Sequence, residues 1–340
     1  MNNDWQIFLS RHSAVLDKHE AAIPDMEKTY LCNLPELGLI KASGEEALSF
    51  LHGQFTNDLN QVSPSQSQLS SYCNAKGRLL AIFRIFKLED DYYLILRRDV
   101  LEVVLNKLTM FKLMAKVELA DVTDEFVLFG IAGPTSDTIL KEINISVPTV
   151  IDQLIQEGET VVIRTPSESS RLLFISKAEQ AKTIWKSLSN KAIQSSSNAW
   201  ALHDIQSGVA QVTTETSEAF IPQMVNLELI GGVNFQKGCY PGQEIVARTH
   251  YLGKPNRRMY RISFDSENCP QPGTNIFSVK DGEQPVGKIV IAQHSSEKTC
   301  EALAVLRTAK ETAEDLHIET LSGPNVILQS LPYSLESESC

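Results

Sequence analysis

The sequence lacks most features that mark the common enzyme and membrane classes. No C-x-x-C pair occurs among its six cysteines, Cys32, Cys73, Cys239, Cys269, Cys300 and Cys340. That spacing argues against a zinc knuckle, a self-contained cluster site, and a disulfide framework of the kind a reducing compartment does not sustain. The seven histidines lie apart from one another, so no metal site is expected. There is no G-x-x-x-x-G-K-[ST] phosphate loop, no G-x-G-x-x-G after a strand and no H-E-x-x-H. Nucleotide-driven enzymes and metallohydrolases are thereby set aside. No stretch approaches the ~20 apolar residues that cross a bilayer. The start of the chain mixes Asp4, Arg11 and His12 with apolar residues, unlike a secretory signal. A cytoplasmic protein with no membrane partner is expected. Positive charge is scarce as well: 31 Lys and Arg stand against 42 Asp and Glu, a net charge of −11. Duplex nucleic acid is held largely through its phosphates, so strong direct nucleic-acid binding is not expected. A local basic pocket for a small anion remains open.

What is present is the composition of a folded protein, 42% hydrophobic and 21% charged over 340 residues, long enough for two or three domains. Thr29 to Asn33 and Leu37 to Ala42 read as short strands separated by Pro35. Ser43 and Glu46 read as a capping box for a helix carrying Ala47, Leu48 and Leu51 on one face. Ser63 to Ser71 reads as a loop that runs into a hairpin. The hairpin's strands are Leu69 to Asn74 and Arg78 to Leu88, turning at Ala75-Lys76-Gly77. Asp99 with Glu102 reads as a second capping box, ahead of a helix with Leu101, Val104, Leu105 and Leu108 at helical spacing. Strands at Lys116 to Val122 and Phe126 to Ile131, then a helix opened by Pro134, complete an antiparallel α+β unit. Thr160 to Arg164 and Arg171 to Ile175 are further strands. A helix with Ala181, Ile184, Trp185 and Leu188 on one stripe follows, and after Ser195-Ser196-Ser197-Asn198 another spans Ala199 to Ser207. Gly253-Lys254-Pro255-Asn256 marks the best domain boundary. Beyond it Arg257 to Phe264, Thr274 to Val279, Val286 to Ala292 and Ala302 to Leu306 suggest a small antiparallel barrel or sandwich.

The segment that draws chemical interest is Lys237-Gly238-Cys239-Tyr240-Pro241-Gly242-Gln243-Glu244. An ammonium two residues from a cysteine favours thiolate over thiol, and glycine allows another molecule's backbone to come close. A buried cysteine acting as a small hydrophobe is the alternative, and the residues alone leave both open.

Upstream, Gln223-Met224-Val225-Asn226-Leu227-Glu228 leads through Gly231-Gly232-Val233-Asn234-Phe235 into that octapeptide, followed by Ala247-Arg248. This run resembles the signature of the YgfZ family, K-G-C-Y-x-G-Q-E with upstream N-L-E and G-G segments. The resemblance covers most of the chain, taking in Asn57-Asp58, Asn74-Ala75-Lys76-Gly77-Arg78 and the tail Leu331-Pro332-Tyr333-Ser334-Leu335-Glu336. The YgfZ family shares its architecture with the T protein of the glycine cleavage system, an aminomethyltransferase. The resemblance therefore implies an α+β, three-domain T-protein-like ring. Residues 1–250 would form two intertwined α+β domains that hold folate, and residues 251–340 a C-terminal antiparallel β-barrel. T protein carries an essential aspartate on the strand after its Asn-x-x-Gly turn. Here that stretch is Leu79-Leu80-Ala81-Ile82-Phe83, without a carboxylate, so aminomethyl transfer is not expected.

The cofactor implied is tetrahydrofolate or a derivative. Such a ligand needs a stacking or apolar platform, an amide or carboxylate for the pterin edge and a cation for its glutamate tail. Trp200 matches a tryptophan at the folate site of the resembled family, although taken alone it reads as a core anchor. A second folate-lining tryptophan falls at Leu37 here, and a glutamate falls at Gln206, which cannot accept twice from the pterin edge as a carboxylate can. Lys76, Arg78 and Arg248 are the cations that would meet the tail, with a solvated surface role as the alternative. Tyr240, Gln243 and Glu244 complete the folate-binding candidates, and Lys237 with Cys239 forms the candidate reactive centre. Cys239 would carry sulfur, share a cluster with other ligands or sense oxidation. The resulting expectation is a folate-binding accessory protein whose partners are iron–sulfur proteins, including tRNA-thiolating enzymes, and whose link to tRNA modification is indirect. The alternatives are a folate-dependent one-carbon transferase or demethylase, and a scaffold in which Cys239 is inert.

Overall fold

In the computed structural model, residues 2–12, 24–253, 255–308 and 315–335 are described, so Lys254, Glu336 and Cys340 lie outside the described residues. The chain divides into two compact units. The first comprises Met1–Leu51, Leu59–Leu69 and Phe83–His203; the second comprises His52–Asp58, Ser70–Ile82 and Asp204–Cys340. Both mix helices and strands.

In the first unit a six-stranded sheet runs in the order Ile193–Ser195, Tyr30–Asn33, Val127–Ala132, Arg171–Ser176, Thr160–Arg164, Leu154–Glu157. Its pairs are antiparallel except that of Tyr30–Asn33 with Ile193–Ser195, which is parallel. Side chains alternate across a strand, so a run apolar at every position has both faces buried. That is the case here. Leu31, Phe129, Ile131, Leu172 and Phe174 pack under the helices Asn3–His12 and Ala178–Ser189, with Trp5 edge-on to Trp185 at 5.3 Å. Tyr30, Cys32, Leu128, Leu173 and Ile175 face the other way, into a core shared with Leu39, Phe86, Tyr93 and Ile95. Those last residues belong to a five-stranded sheet ordered Gln68–Cys73, Leu79–Leu88, Asp91–Arg97, Leu37–Ser43, Glu118–Asp121. The short strands on either side of Pro35 therefore belong to different sheets.

The second unit carries a six-stranded antiparallel sheet ordered Leu316–Ile318, Asn275–Ser278, Gly287–His294, Thr299–Arg307, Arg257–Asp265, Ile327–Gln329. It curls so that Ile262, Phe264, Ile276, Ile289, Ala304, Leu316 and Ile318 share one core. A bulge between Ile289 and Ile291 shifts the register there, the usual device by which a sheet bends. Among the described residues no helix is long and apolar enough to cross a membrane.

Three local expectations are corrected. Ser43 ends a strand instead of capping a helix, and the Glu46 carboxylate accepts from Lys116 N–H at 2.6 Å, so no capping box forms. Asp99 stands inside the first turn of Arg98–Lys112, whose N-cap is Arg97. In both places tertiary partners, not local capping, decide where the helix begins. Cys269 and Cys300 are joined in a disulfide, their Cα atoms 5.8 Å apart. Sequence spacing concealed this pair because the connection after Arg257–Asp265 brings Cys269 to a strand residue 31 positions away.

Candidate functional site

The octapeptide lies in the second unit and is anchored by its lysine. Lys237 is 8% exposed, and its ammonium donates to the carbonyls of His52 and Phe55, the latter at 2.5 Å. It also lies 5.0 Å from the centre of the Tyr240 ring, a cation–π distance. Burial pulls the Lys237 ammonium down to about 8, against the opposing charges of Asp58 and Cys239. His52 Nδ1 lies 3.4 Å from Asp58 Oδ1, and burial followed by the Lys237 charge pushes His52 below its ordinary value. Burial, with the charge of Cys73, raises the Tyr240 phenol.

From this anchor the chain passes through Gly238, where an added Cβ would meet nothing, to an exposed Cys239. Gly242 then reverses the chain at φ +79° and starts the helix Gln243–Tyr251. A Cβ on Gly242 would lie 2.5 Å from Asn74 O and from Gly77, so only glycine fits against the Asn74–Arg78 turn. That turn is held by Asn74, whose side-chain oxygen accepts from Lys76 N–H at 2.9 Å and Arg78 N–H at 3.0 Å. Gln243 Nε2 closes the motif on Lys237 O at 3.4 Å.

The upstream segments are structural supports. Asn57 donates to Gly231 O at 2.7 Å, and the Thr56 hydroxyl donates to Gly232 O at 2.9 Å. Asn226, at φ +58°, uses its amide as a strand would, giving to Met259 O at 2.8 Å and taking from Met259 N–H at 3.3 Å. Arg258 donates to Gln223 O at 2.9 Å and pairs with Glu228, with both side chains under a tenth exposed. The tail is tied in as well, since Tyr333 donates its hydroxyl proton to Gly208 O at 2.8 Å.

Lys237, Tyr240 and Gln243 are thus gathered round one anchor, and Gly242 seats that anchor against the turn bearing Lys76 and Arg78. Lys76, Glu244 and Arg248 point to solvent, and Gln206 is half-exposed at the end of the helix Ser197–Gln206. Arg78 donates to Ala219 O at 2.7 Å. Sequence reasoning missed the company that Arg78 keeps. Arg257 lies opposite Arg307 across paired strands, and burial, then the charges of Arg307 and Arg78, lower Arg257 from its usual value. No spacing rule links these positions. In the first unit Leu37 packs against the core that contains Trp200, which is 5% exposed. Arg171 stacks 4.5 Å from the Trp200 ring, and Gly130 leaves that ring room that any Cβ would fill. The strand Leu79–Phe83 is fully buried and apolar.

Among the described residues the free cysteines are Cys32, Cys73 and Cys239, and only Cys239 is exposed. Burial pushes Cys32 and Cys73 up to about 12. At pH 8 only roughly one part in 10,000 of either would be thiolate, the form that reacts. Iodoacetamide on the native protein is therefore expected to label Cys239, and Cys32 and Cys73 only after denaturation, as read by peptide mass spectrometry. Slow labelling of Cys239 would favour the inert scaffold.

The family profile described as the GCVT N-terminal domain matches residues 9–155. The tRNA-modifying protein YgfZ of Yersinia enterocolitica is 29% identical over 309 residues, covering 91% of this chain and 93% of that protein. Its namesake from Colwellia psychrerythraea is 29% identical over 323 residues, covering 94% and 98%. Among solved structures, the glycine cleavage system aminomethyltransferase T of Bartonella henselae superposes with a TM-score of 0.71 over 90% of this chain and 86% of that one, at 14% identity. The chain therefore resembles the YgfZ proteins along nearly its whole length, and its fold is that of the glycine cleavage T protein.

Proposed function

We propose that this chain binds a reduced folate and serves tRNA modification indirectly, by supporting iron–sulfur enzymes, those that thiolate tRNA among them. The observation that carries the proposal is the exposed Cys239, presented from a motif whose lysine is sequestered on backbone carbonyls. Near end-to-end similarity to proteins named for tRNA modification gives that motif its context. The net charge of −11 favours an indirect link over direct tRNA binding. The division into intertwined α+β domains over 1–250 and a barrel over 251–340 belongs to the same proposal, as does a cytoplasmic setting.

The residues present fit a folate. Arg257 and Arg307 face each other as like charges, and Asp281 lies 3.7 Å from the Arg307 guanidinium. With Arg78 they supply the cations that a glutamate tail requires. Gln206 and Gln243 offer amides to a pterin edge, whereas Trp200 is 5% exposed and packed in the core of the first unit beneath Arg171. When bound, a reduced folate supplies one-carbon and electron-donating chemistry. The protein's own contribution is to hold the tail and to keep Cys239 accessible while Lys237 is committed to the backbone. The buried apolar strand Leu79–Phe83 gives no carboxylate to the transferase alternative.

Titration with tetrahydrofolate, followed by tryptophan fluorescence, tests the reading. Saturable quenching is expected in the wild type and reduced quenching in Trp200→Phe. In Arg78→Ala affinity should fall by about tenfold, the worth of one charged hydrogen bond. Absence of binding to folded wild-type protein would remove folate from the proposal.

A further inference from the structure

Outside the octapeptide, one cluster among the described residues combines metal-ligating groups of matched chemistry. Strand pairing sets His294 directly opposite Cys300 at the end of the Gly287–His294 and Thr299–Arg307 pair. Cys300 Sγ lies 3.6 Å from His294 Nδ1, and Cys269, on the connection after Arg257–Asp265, is bonded to that same sulfur. The ligand atoms of all three residues fall within 4.8 Å of one another. Cys300 is fully buried on an inner strand, whereas Cys269 and His294 are half-exposed, so the cluster is reached from their side.

From this geometry we infer that Cys269, His294 and Cys300 form a redox-gated site for a borderline-soft divalent cation of the zinc class. Two thiolates and one imidazole make the donor set such cations prefer, at about 2.0–2.3 Å from each ligand atom. With the sulfurs bonded to each other no thiolate is available and the site is closed. A dithiol reductant opens it. Two electrons and two protons pass to the protein, the S–S bond breaks to give two cysteine thiols, and the reductant departs as its own disulfide. Cation binding then releases both thiol protons to solvent, while neutral His294 donates a ring-nitrogen lone pair. Three protein ligands leave one coordination position for water or an outside ligand. The seven histidines are scattered in sequence, and only strand register reveals that one of them stands beside a cysteine pair.

The test uses the full chain, reduced with a dithiol, desalted under anaerobic conditions and titrated with cobalt(II) alone. Reduced protein is expected to bind one equivalent with a thiolate-to-metal charge-transfer band that zinc abolishes, and oxidised protein to show no band. The band should persist in Cys239→Ser and be lost in Cys269→Ser and His294→Ala. No band in reduced wild type, or a band that survives Cys269→Ser, would overturn the assignment. A second readout needs no substitution, since zinc should protect Cys269 of the reduced wild type from alkylation. Equal labelling with and without zinc would likewise overturn it.

Discussion

Arg258→Met is expected to destabilise the protein by about 3–5 kcal/mol, the usual consequence of leaving a buried charge without its partner. Glu228 would be that charge: the two side chains are 8% and 9% exposed, and burial already raises the Glu228 carboxyl against the pull of Arg258. The same substitution also frees Gln223 O. Replacing both members, as in Arg258→Met with Glu228→Leu, should cost markedly less than the two single losses added together, because no uncompensated charge remains. Urea denaturation of the two singles and the double provides the cycle. Additive losses would mean that the pair acts only through separate hydrogen bonds.

The second large effect is a pH dependence. Lys237 loses its proton near 8 in the folded chain and near 10.5 when unfolded. Between those values the unfolded state binds the extra proton at this site, so the Lys237 contribution to stability rises with pH, and below pH 8 the desolvated charge exerts its full penalty. The shift corresponds to at most about 3 kcal/mol. For the whole protein the trend reverses from about pH 9, where unfolded Cys32 and Cys73 lose protons that the folded chain keeps to about 12. Above pH 10 buried Tyr72 and Tyr333, which also keep their protons to about 12, add to that excess in the folded state. The stability of wild type minus that of Lys237→Met, followed by urea midpoint from pH 7 to 10, should therefore climb between 8 and 10. A flat difference would show that the ammonium stays charged throughout.

How much of this was legible in the sequence depends on the range of the interaction. The unbroken apolar run from Phe126 to Ala132 announces a strand buried on both faces, and it is one. The stripe Ala181, Ile184, Trp185, Leu188 announces its helix equally well. The octapeptide could be located, but the helix Gln243–Tyr251 could not, because Gly242 starts it without a side-chain cap and by contact with a distant turn. Glu46 offered a local capping role and was taken by Lys116, 70 residues away. The Arg257–Arg307 opposition depends on strand register, and the Cys269–Cys300 bond on a connection folding back on a strand, neither of which local patterns encode. What the sequence conceals here is chiefly what remote segments bring side by side.

The anchoring of Lys237 on His52 and Phe55 joins positions 185 and 182 residues apart. Closing so long a loop carries an entropic cost that only the surrounding core offsets, and contacts of this span tend to form late. A chain emerging from the ribosome would present residues 52–55 long before their lysine arrives. The carbonyls that will receive the ammonium must wait, hydrated, while just over half of the polypeptide is being made. The octapeptide's anchor is thus a late product of synthesis, and a truncated chain that ends before it would leave the cradle formed by those carbonyls empty.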